Sequence, residues 1–503
     1  MNAKDMQILA QREADLRHRL DRGHAQVNLG GPLLTDLNIH YEMGDRVRAI
    51  GCGGIGAIHK MVVRLGLPAA INQVLHLFKV HLPYHESDHV LNIAYNVLNG
   101  GQCLEDIELL RQDEVYLDAL STPRIPDPTT AGDFTRRFRS ARTILALQEA
   151  INATRRKVWE KQPRAFRRQA ILDVDGTIAP TEGECKQGMG LSYKGIWGYA
   201  PLLVSLANTR EPLYLVNRPG NAPSHADAPE WIDRALELVE GSFDTVLLRG
   251  DTDFSLTKHL DRWDERATFI FGYDAHKNLV ERADDLSSRA WKRLVRPARY
   301  TVKTQQRARP ENVKERIVRE KEYENIRLNG EDVAEFEYRP NACKQPYRMV
   351  VVRKDLTHEK GEAWLFDDIR YFFYLTNDWD SPAEEIVYSA NGRCDQENVI
   401  AQLKSGIGAM RMPVGDLYSN WAYLVMAALA WTLKAWYAMM MPKPKEREQT
   451  LRLEFKAFAQ RYLRIPCQII RTGRRVVYRI LAYNRYLETF LRTYDRIKRL
   501  CVA

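Results

Sequence analysis

Two aspartates, separated by one residue, are the first side chains in this sequence whose types and spacing suggest chemistry. Residues 171–181 read ILDVDGTIAPT, an apolar run typical of a strand that ends in a polar turn. Side chains at positions i and i+2 of a strand point to the same face, so Asp173 and Asp175 are expected to share one site. Two carboxylates on one face can bind a cation together, or act as nucleophile and acid.

The first interpretation of this pair is a phosphatase. The D-x-D-G-T run resembles the haloacid-dehalogenase phosphatases, and the resemblance implies that Asp173 is the nucleophile and Asp175 the acid and base. That family also needs a basic counter-charge and a later acidic pair that holds magnesium. No lysine occurs between Gly195 and Gly250, and the later acids of GDTDFSL are spaced more closely than is usual in that family. The phosphatase is therefore an alternative based on one local motif.

The second interpretation joins three carboxylates that are far apart in the sequence. Asp175 ends the first strand, Asp251 follows a later strand in LLRGDTDF, and Glu397 lies on a predicted helix. Three such groups can bind two divalent ions about 4 Å apart, which activate a water or a 3′-hydroxyl and stabilise the leaving oxygen of a phosphodiester. Hard oxygen ligands favour magnesium or manganese over zinc. The predicted chemistry is nuclease-type phosphoryl transfer.

The segment around Glu397 carries two cations at helical spacing. In YSANGRCDQENVIAQLKSGIG, a regular helix would place Arg393, Glu397 and Lys404 at about 0°, 40° and 20°. An Arg–Glu pair four residues apart is common on helix surfaces. Lys404 adds a second cation in line with the carboxylate, as phosphate binding requires. This face favours the second interpretation.

At this point the chain resembles the DDE transposases of bacterial insertion sequences, specifically insertion-sequence family 1380. Arg393, Glu397 and Lys404 match the Y-x-x-R-x-x-x-E-x-x-x-x-x-x-K pattern of the larger group. Tyr388 is the candidate tyrosine, although it lies five residues before Arg393 instead of three. The similarity covers roughly residues 45 to 480 and includes the segments LNGGQCLEDIELLRQD, PDPTT, LDVDGT, LLRGDTDF, FFYLTND and ENVIAQLKSGIGAMRMP.

The resemblance implies a catalytic core of the RNase H-like type, in which Asp175, Asp251 and Glu397 hold two Mg²⁺ or Mn²⁺ ions. The family pattern prefers Asp175 to Asp173, because its ligand immediately precedes a small residue and a threonine. Relatives have a glycine where this chain has Asp253. Which aspartate of that segment binds metal is therefore a question for experiment.

The resemblance also implies the substrate and the reaction. Arg393, Lys404 and Tyr388 would bind phosphates near the cleaved end. The enzyme would nick double-stranded DNA at terminal inverted repeats, and the freed 3′-hydroxyl would attack target DNA. Because two ends must be paired, at least a homodimer is expected. A protein derived from a transposase that still binds DNA but no longer cleaves it is a further alternative.

The elements that must position these residues define an α/β fold. QAILDVD, YAPLLVSLAN, PLYLVN, DTVLLRG and ATFIFGY read as strands, and PEWIDRALELVEG reads as a helix ended by Gly241. The GCGGIG run reads as a turn into a helix, and Thr129 or Thr130 as the cap of another. The predicted regions are a helical DNA-binding region (1–165), the first part of the core (166–298), a β-rich insertion (299–385), the second part of the core with the Glu397 helix (386–441), and a basic DNA-binding or dimerisation region (442–503).

The charge of the chain is concentrated near its end. The formal net charge is +9, and residues 443–499 contain 16 Lys and Arg against 5 Asp and Glu. A concentrated basic excess favours a polyanionic partner such as DNA. Arg474 and Arg475, beside a predicted hairpin turn at Thr472 and Gly473, are candidate DNA contacts, or equally cover the edge of the core.

Composition and cysteine usage exclude several classes of protein. Hydrophobic residues make up 45% and charged residues 28%, which is ordinary for a globular chain. Seven scattered cysteines without a C-x-x-C pair argue against a disulfide framework or a thiolate zinc site and suit a reducing cytosol. The resemblance to insertion-sequence transposases implies a bacterial cytoplasm, beside the nucleoid. The apolar stretch from Trp421 to Met441 contains Lys434 and is expected to be a buried core helix instead of a membrane span.

Overall fold

A large mixed sheet organises the protein. The computed structural model describes residues 3–25, 39–42, 44, 47–80, 83–296, 313–361, 363–473 and 475–501. The helices are α1 (Ala3–Ala25), α2 (Ile55–Leu65), α3 (Leu67–Val74), α4 (Glu86–Leu98), α5 (Ile107–Gln112), α6 (Glu114–Ala119), α7 (Pro128–Thr135), α8 (Ala141–Glu160), α9 (Ala228–Val239), α10 (Thr257–Asp264), α11 (Lys277–Asp284), α12 (Val313–Glu320), α13 (Ala383–Gly392), α14 (Cys394–Ala401), α15 (Leu417–Met439), α16 (Pro444–Arg452), α17 (Phe455–Phe458) and α18 (Leu487–Lys498). The strands are β1 (Ala49–Ile50), β2 (Gln169–Gly176), β3 (Ala179–Pro180), β4 (Gly190–Leu191), β5 (Trp197–Tyr199), β6 (Leu202–Leu206), β7 (Glu211–Val216), β8 (Thr245–Gly250), β9 (Thr268–Tyr273), β10 (Lys292–Arg293), β11 (Glu324–Tyr338), β12 (Tyr347–Lys360), β13 (Ala363–Thr376), β14 (Cys467–Thr472) and β15 (Arg475–Ile480).

The main sheet has the strand order β10-β11-β12-β13-β9-β8-β2-β6-β7. Strand β2 is parallel to β8, and β8 is parallel to β9, whereas all other neighbours are antiparallel. The α/β class is thus confirmed, and the five strands predicted between residues 169 and 273 all form. Because β2 and β8 run in the same direction, the residues that follow their carboxyl ends meet at one edge of the sheet.

The two faces of the sheet are covered by different helices. Helix α9 packs on β2, β6 and β7, and α13 packs on β9, β11, β12 and β13. Ile386 and Val387 of α13 cluster with Leu247 and Ile270, and Ile171 packs against this cluster. Alternation along β2 places the aspartates on the same face as Ile171. Helix α13 therefore leads directly to the side of the sheet that carries the acidic pair.

Strands β11, β12 and β13 are much longer than the other strands of the sheet. They span 14 or 15 residues each and continue the sheet well beyond its contact with β9. We call residues 321–330 and 354–372 the β arm, since these residues form its outer half. The predicted strand RYTVK at 299–303 lies outside the described residues.

Helix α15 forms the centre of the largest hydrophobic cluster. All of its residues from Ser419 to Met439 are buried. This confirms the prediction of a core helix, and none of the helices described here is long and apolar enough to cross a membrane. The buried Lys434 ammonium donates hydrogen bonds to the carbonyls of Leu451 (3.0 Å) and Leu453 (2.5 Å) at the end of α16. Lys434, the one charged residue between Trp421 and Met441, therefore links α15 to the end of α16.

The glycine-rich run before α2 serves close packing. A Cβ atom on Gly54 would lie 1.8 Å from the Tyr462 carbonyl oxygen, and one on Gly53 would lie 2.3 Å from the Cys467 sulfur. Only glycine permits this approach between the start of α2 and the small sheet β1-β14-β15. The run is a turn into a helix, as the sequence indicated.

One predicted cap is wrong. Helix α7 is capped by Asp127, whose side chain accepts hydrogen bonds from the Thr130 amide (2.9 Å) and the Thr130 hydroxyl (2.7 Å). The proline at the first helical position places the start of the helix two residues earlier than a cap at Thr129 would. Aspartate is as good a cap as threonine or better, so composition alone did not distinguish them.

Candidate active site

Asp173 is locked in a buried ion pair. The Arg249 guanidinium donates to both of its carboxylate oxygens, at 2.7 and 2.8 Å, and the two side chains are 1% and 7% exposed. Arg249 lies directly opposite Asp173 in the parallel pairing of β2 with β8. It also donates to the Ser389 carbonyl of α13, at 2.7 Å. Both oxygens of Asp173 are thus occupied by a structural partner.

Asp175, two residues further along β2, is in a more open position. Its Oδ2 accepts a hydrogen bond from Nη1 of Arg393 at 3.1 Å, and the two side chains are 15% and 17% exposed. Burial raises the pKa of Asp175 to about 6, against the opposing effect of the Arg393 charge. The nearby charges of Asp251 and Glu397 contribute to this raised value. The site therefore brings together carboxylates that repel one another.

Asp251 follows β8 at the same edge of the sheet. Its Oδ1 accepts a hydrogen bond from the Asp253 amide at 3.1 Å, which caps the short 3₁₀ turn Thr252–Phe254. Burial raises the pKa of Asp251, whereas the Arg393 charge lowers it and the Asp253 charge raises it. Arg393 therefore interacts with both aspartates, one from each parallel strand.

Glu397 lies in the first turn of α14 and is exposed. The residue before it, Gln396, is buried and donates to the Asp173 carbonyl (2.9 Å), the Leu203 carbonyl (3.3 Å) and the Ser205 hydroxyl (3.1 Å). These three hydrogen bonds fix α14 on the sheet next to the aspartates.

The helix that carries the two cations is not regular. Arg393 is the residue between α13 and α14, and residues Gln402–Gly406 form a π-helical turn that contains Lys404. The regular angle assumed between Glu397 and Lys404 is therefore wrong, because a π turn widens the helix locally. Lys404 is still near the aspartates. Burial and the charge of Lys194 lower its pKa, and the charge of Asp175 opposes this.

A cleft of about 710 Å³ opens beside these residues. One wall contains Gly176 and Thr177, which follow Asp175, and another contains Tyr193 and Lys194 at the tip of the β4-β5 hairpin. Lys404 lines this cleft and also a second cleft of about 720 Å³, together with Lys186 and Arg411. The first cleft thus combines basic side chains with the acidic edge of the sheet, and the second continues the basic lining beyond Lys404.

The remaining predicted residues lie elsewhere or are not described. The Tyr388 hydroxyl donates to the Val295 carbonyl at 2.6 Å, so it is directed to the segment after β10. Arg475 is exposed at the start of β15, in the separate three-stranded sheet. Arg474 lies outside the described residues. The structure thus brings Asp175 and Asp251 together with Glu397, Arg393 and Lys404. Tyr388 and Arg475 lie apart from this group.

Sequence reasoning missed three basic residues near the site. Arg249 is recognisable only once the register of β2 and β8 is known. Lys194 precedes Gly195, whose positive φ of 71° allows the hairpin turn. The run SYKG in the sequence could have indicated this turn and the basic residue at its tip. Arg218 is buried and holds the loop that lines the cleft through the carbonyls of Ser224 (2.9 Å) and Ala226 (2.6 Å).

Comparison with known families defines the class of protein. Residues 48–502 match the family described as transposase DDE domain group 1. The protein is thus a DNA transposase of the DDE type. Since the match covers most of the chain, the chain belongs to this family.

Comparisons with individual proteins add little. No curated protein matches the chain in sequence. Among solved structures, the chain is similar to that of a cryo-EM structure of the piggyBac transposase synaptic complex with hairpin DNA, at 10% identity, over 82% of each chain, with a TM-score of 0.36. Similarity at this level is too low to define a fold.

The family implies divalent metal ions, and the residue types at this edge fit them. Asp175, Asp251 and Glu397 offer the carboxylate oxygens that Mg²⁺ and Mn²⁺ prefer. Burial, together with repulsion from Asp251 and Glu397, raises the pKa of Asp175, and a bound cation would favour its ionised form. Within the described part of the chain, no group of three or more Asp, Glu, His or Cys side chains is arranged so that it could hold a metal ion as it stands.

The raised pKa of Asp175 predicts a cost to stability in the metal-free chain. Its folded pKa of about 6 exceeds the ordinary value of 3.8, so protonation is favoured by folding. The associated stability is present below about pH 3.8 and is lost as the pH rises through about 6. Asparagine does not ionise, so we expect Asp175→Asn to raise the free energy of unfolding at pH 8 by about 2–3 kcal/mol. Thermal unfolding in EDTA from pH 4 to pH 8 measures this difference.

The control for this experiment is Asp253→Asn, which removes a neighbouring but exposed carboxylate. Its effect on unfolding is expected to be small at every pH. A gain for Asp175→Asn that is equal at pH 4 and pH 8, or a loss at pH 8, would contradict the prediction.

Proposed function

We propose that this transposase cleaves DNA strands at the terminal inverted repeats of its element and joins the freed 3′-hydroxyl to target DNA. One observation carries the proposal. The Arg393 guanidinium contacts Asp175 at 3.1 Å and interacts with Asp251, at the edge where two parallel strands end. Residues from three distant segments thus meet in one charged cluster, within a chain of the DDE family.

We further propose that β7-β6-β2-β8-β9 with α9 and α14 is an RNase H-like core. The adjacent carboxyl ends of β2, which contains Asp175, and of β8, which is followed by Asp251, support this assignment. In this proposal the long strands β11, β12 and β13 belong to an inserted region between Asp251 and Glu397. Residues 1–165 and 442–503 would bind DNA, and the element would belong to insertion-sequence family 1380 in bacteria.

Asp175, Asp251 and Glu397 are proposed to hold two Mg²⁺ or Mn²⁺ ions. When bound, such ions would activate the attacking oxygen and stabilise the leaving oxygen of the phosphodiester. Asp173 is excluded from this role, because the bidentate Arg249 contact occupies both of its oxygens. The same contact argues against a phosphatase in which Asp173 is the nucleophile.

The basic residues are proposed to bind and orient DNA. Arg393 and Lys404 neutralise phosphate charge on either side of Asp175, and Lys194 extends this basic wall along the cleft. Half-burial strengthens the interactions of Arg393 and Lys404, since water screens them less, whereas Lys194 is exposed. Tyr388, Arg474 and Arg475 are proposed to contact the DNA further from the reacting phosphate.

The partners proposed are double-stranded DNA and a second copy of the chain. The basic excess of residues 443–499 supports the first, because phosphate binding is dominated by such charge. Pairing of two transposon ends requires the second. The bacterial cytoplasm, beside the nucleoid, is the proposed location.

The decisive experiment is a cleavage assay with the DNA that flanks the encoding gene. Duplexes that carry each flank are incubated with the full chain in Mg²⁺, Mn²⁺ or EDTA. We expect nicks at one defined position in either metal, none in EDTA, and joined products when plasmid target is added. A shuffled duplex of the same composition is the control.

Two results would contradict the proposal. Specific binding of the flanking DNA without cleavage in either metal would identify a DNA-binding protein that has lost catalysis. Hydrolysis of a small phosphomonoester without DNA would identify a phosphatase.

A further inference from the structure

The outer edge of strand β13 has no strand partner among the described residues. Strand β13 pairs with β12 along its whole length, but with β9 only from Phe373 to Thr376. Within the described part of the chain, the backbone from Ala363 to Phe372 therefore has no strand on the side opposite β12. Such an edge is a template for another strand.

This edge is also unusually apolar. Between residues 363 and 372, five large apolar side chains are 41% to 64% exposed. They are Trp364, Leu365, Phe366, Ile369 and Phe372. Soluble proteins normally protect a strand edge with charge, proline or a covering element. An exposed apolar edge of this length indicates an interaction surface.

The charge of the β arm indicates a protein partner instead of DNA. Segments 321–330 and 354–370 contain five basic and seven acidic residues, in a chain whose net charge is +9. A net negative surface repels phosphate, so the arm does not suit a nucleic acid. Its apolar and mildly acidic character suits another polypeptide strand.

We propose that β13 pairs antiparallel with β13 of a second copy, about a two-fold axis at Ile369. An isologous contact requires a self-complementary surface. With Ile369 opposite itself, Asp368 lies opposite Arg370 of the second copy, and Phe366 lies opposite Phe372. Each of these pairs occurs twice, once on each side of the axis. In this register, the order of charges along the edge is therefore self-complementary.

Within one chain, the same two charges are already neighbours. Arg370 contacts Asp368 at 2.8 Å, and the two side chains are 49% and 32% exposed. In the proposed dimer, each would gain a partner across the axis. The contact supplies the surface of the homodimer proposed above and rests on that part of the proposed function. It needs neither DNA nor catalysis.

The test is a charge exchange in the full chain without DNA, followed by analytical ultracentrifugation. Asp368→Arg places like charges opposite each other on both sides of the axis, and we expect about tenfold weaker dimerisation. The double variant Asp368→Arg/Arg370→Asp restores both pairs, so we expect it to dimerise like the wild type. Asp355→Arg makes the same change in net charge on the central strand β12 and is expected to have no effect.

A cysteine at the axis provides the second measurement. Ile369→Cys is expected to form a disulfide-linked dimer under mild oxidation, since opposed residues of an antiparallel pair have adjacent Cβ atoms. Leu328→Cys, at similar exposure on β11, is expected not to cross-link. A monomeric wild type, cross-linking through Leu328→Cys alone, or failure of the double exchange to rescue would each overturn the proposal. Because no DNA is used, such a failure leaves the proposed cleavage activity unaffected.

Discussion

Asp175→Asn is expected to reduce metal-dependent nicking by at least about a thousandfold, while DNA binding is retained. Asparagine keeps the shape of the side chain and still accepts the hydrogen bond from Arg393. It removes the negative charge that a divalent cation requires. The rate of nicking of a labelled duplex in Mg²⁺, together with a filter-binding or mobility-shift measurement in EDTA, separates the two effects.

The matched controls come from the same strand and turn. Asp173→Asn should nick within about tenfold of wild type at temperatures where it remains folded, because Asp173 already has both oxygens bound by Arg249. Comparison of Asp253→Asn with Asp251→Asn in the same assay tests which aspartate of that turn is required for nicking. If Asp173→Asn were inactive and Asp175→Asn active, the assignment of the reacting carboxylate would be wrong.

Asp173→Ala is expected to lower the free energy of unfolding by about 3–5 kcal/mol. The substitution leaves the Arg249 guanidinium buried with only the Ser389 carbonyl as a hydrogen-bond acceptor among the described residues. An uncompensated buried charge is far more costly than the absence of the whole pair. Chemical denaturation followed by circular dichroism at constant pH provides the measurement.

The double variant Asp173→Leu/Arg249→Met removes both charges and should recover most of the loss. Glu230→Ala breaks an exposed pair with Arg234, whose side chains are 59% and 34% exposed, and should change stability by less than about 1 kcal/mol. Equal effects for Asp173→Ala and Glu230→Ala would mean that the buried pair has no special importance.

The core strands were predictable because their residues are apolar over short runs bounded by turn residues. Strands β2, β6, β7, β8 and β9 each bury at least half of their side chains, so hydrophobic pattern alone identified them. The spacing of Asp173 and Asp175 likewise predicted that both lie on one face. Which of the two is open to a ligand was not predictable from composition, because it depends on Arg249 being opposite Asp173 in a parallel register.

The helix near Glu397 shows a second limit. A regular period was assumed through Lys404, but the turn Gln402–Gly406 is π-helical. Such a turn depends on contacts that close only in the folded chain. Here the Gln402 side-chain oxygen accepts a hydrogen bond from the Phe455 amide at 2.9 Å. Tertiary contacts of this kind leave no periodic trace in a sequence.

The three hydrogen bonds of Gln396 have a consequence for evolution and engineering. They tie α14 to the backbone of β2 and to the backbone and the Ser205 hydroxyl of β6, strands that precede the long arm in the chain. The hydrogen bonds of Gln396 therefore set the location of Glu397 on the sheet. The length of the segment between Asp251 and Glu397 has little effect on that location. The segment between Asp251 and Glu397 could therefore be lengthened, shortened or exchanged, in evolution or by design, while the position of Glu397 beside Asp175 is kept.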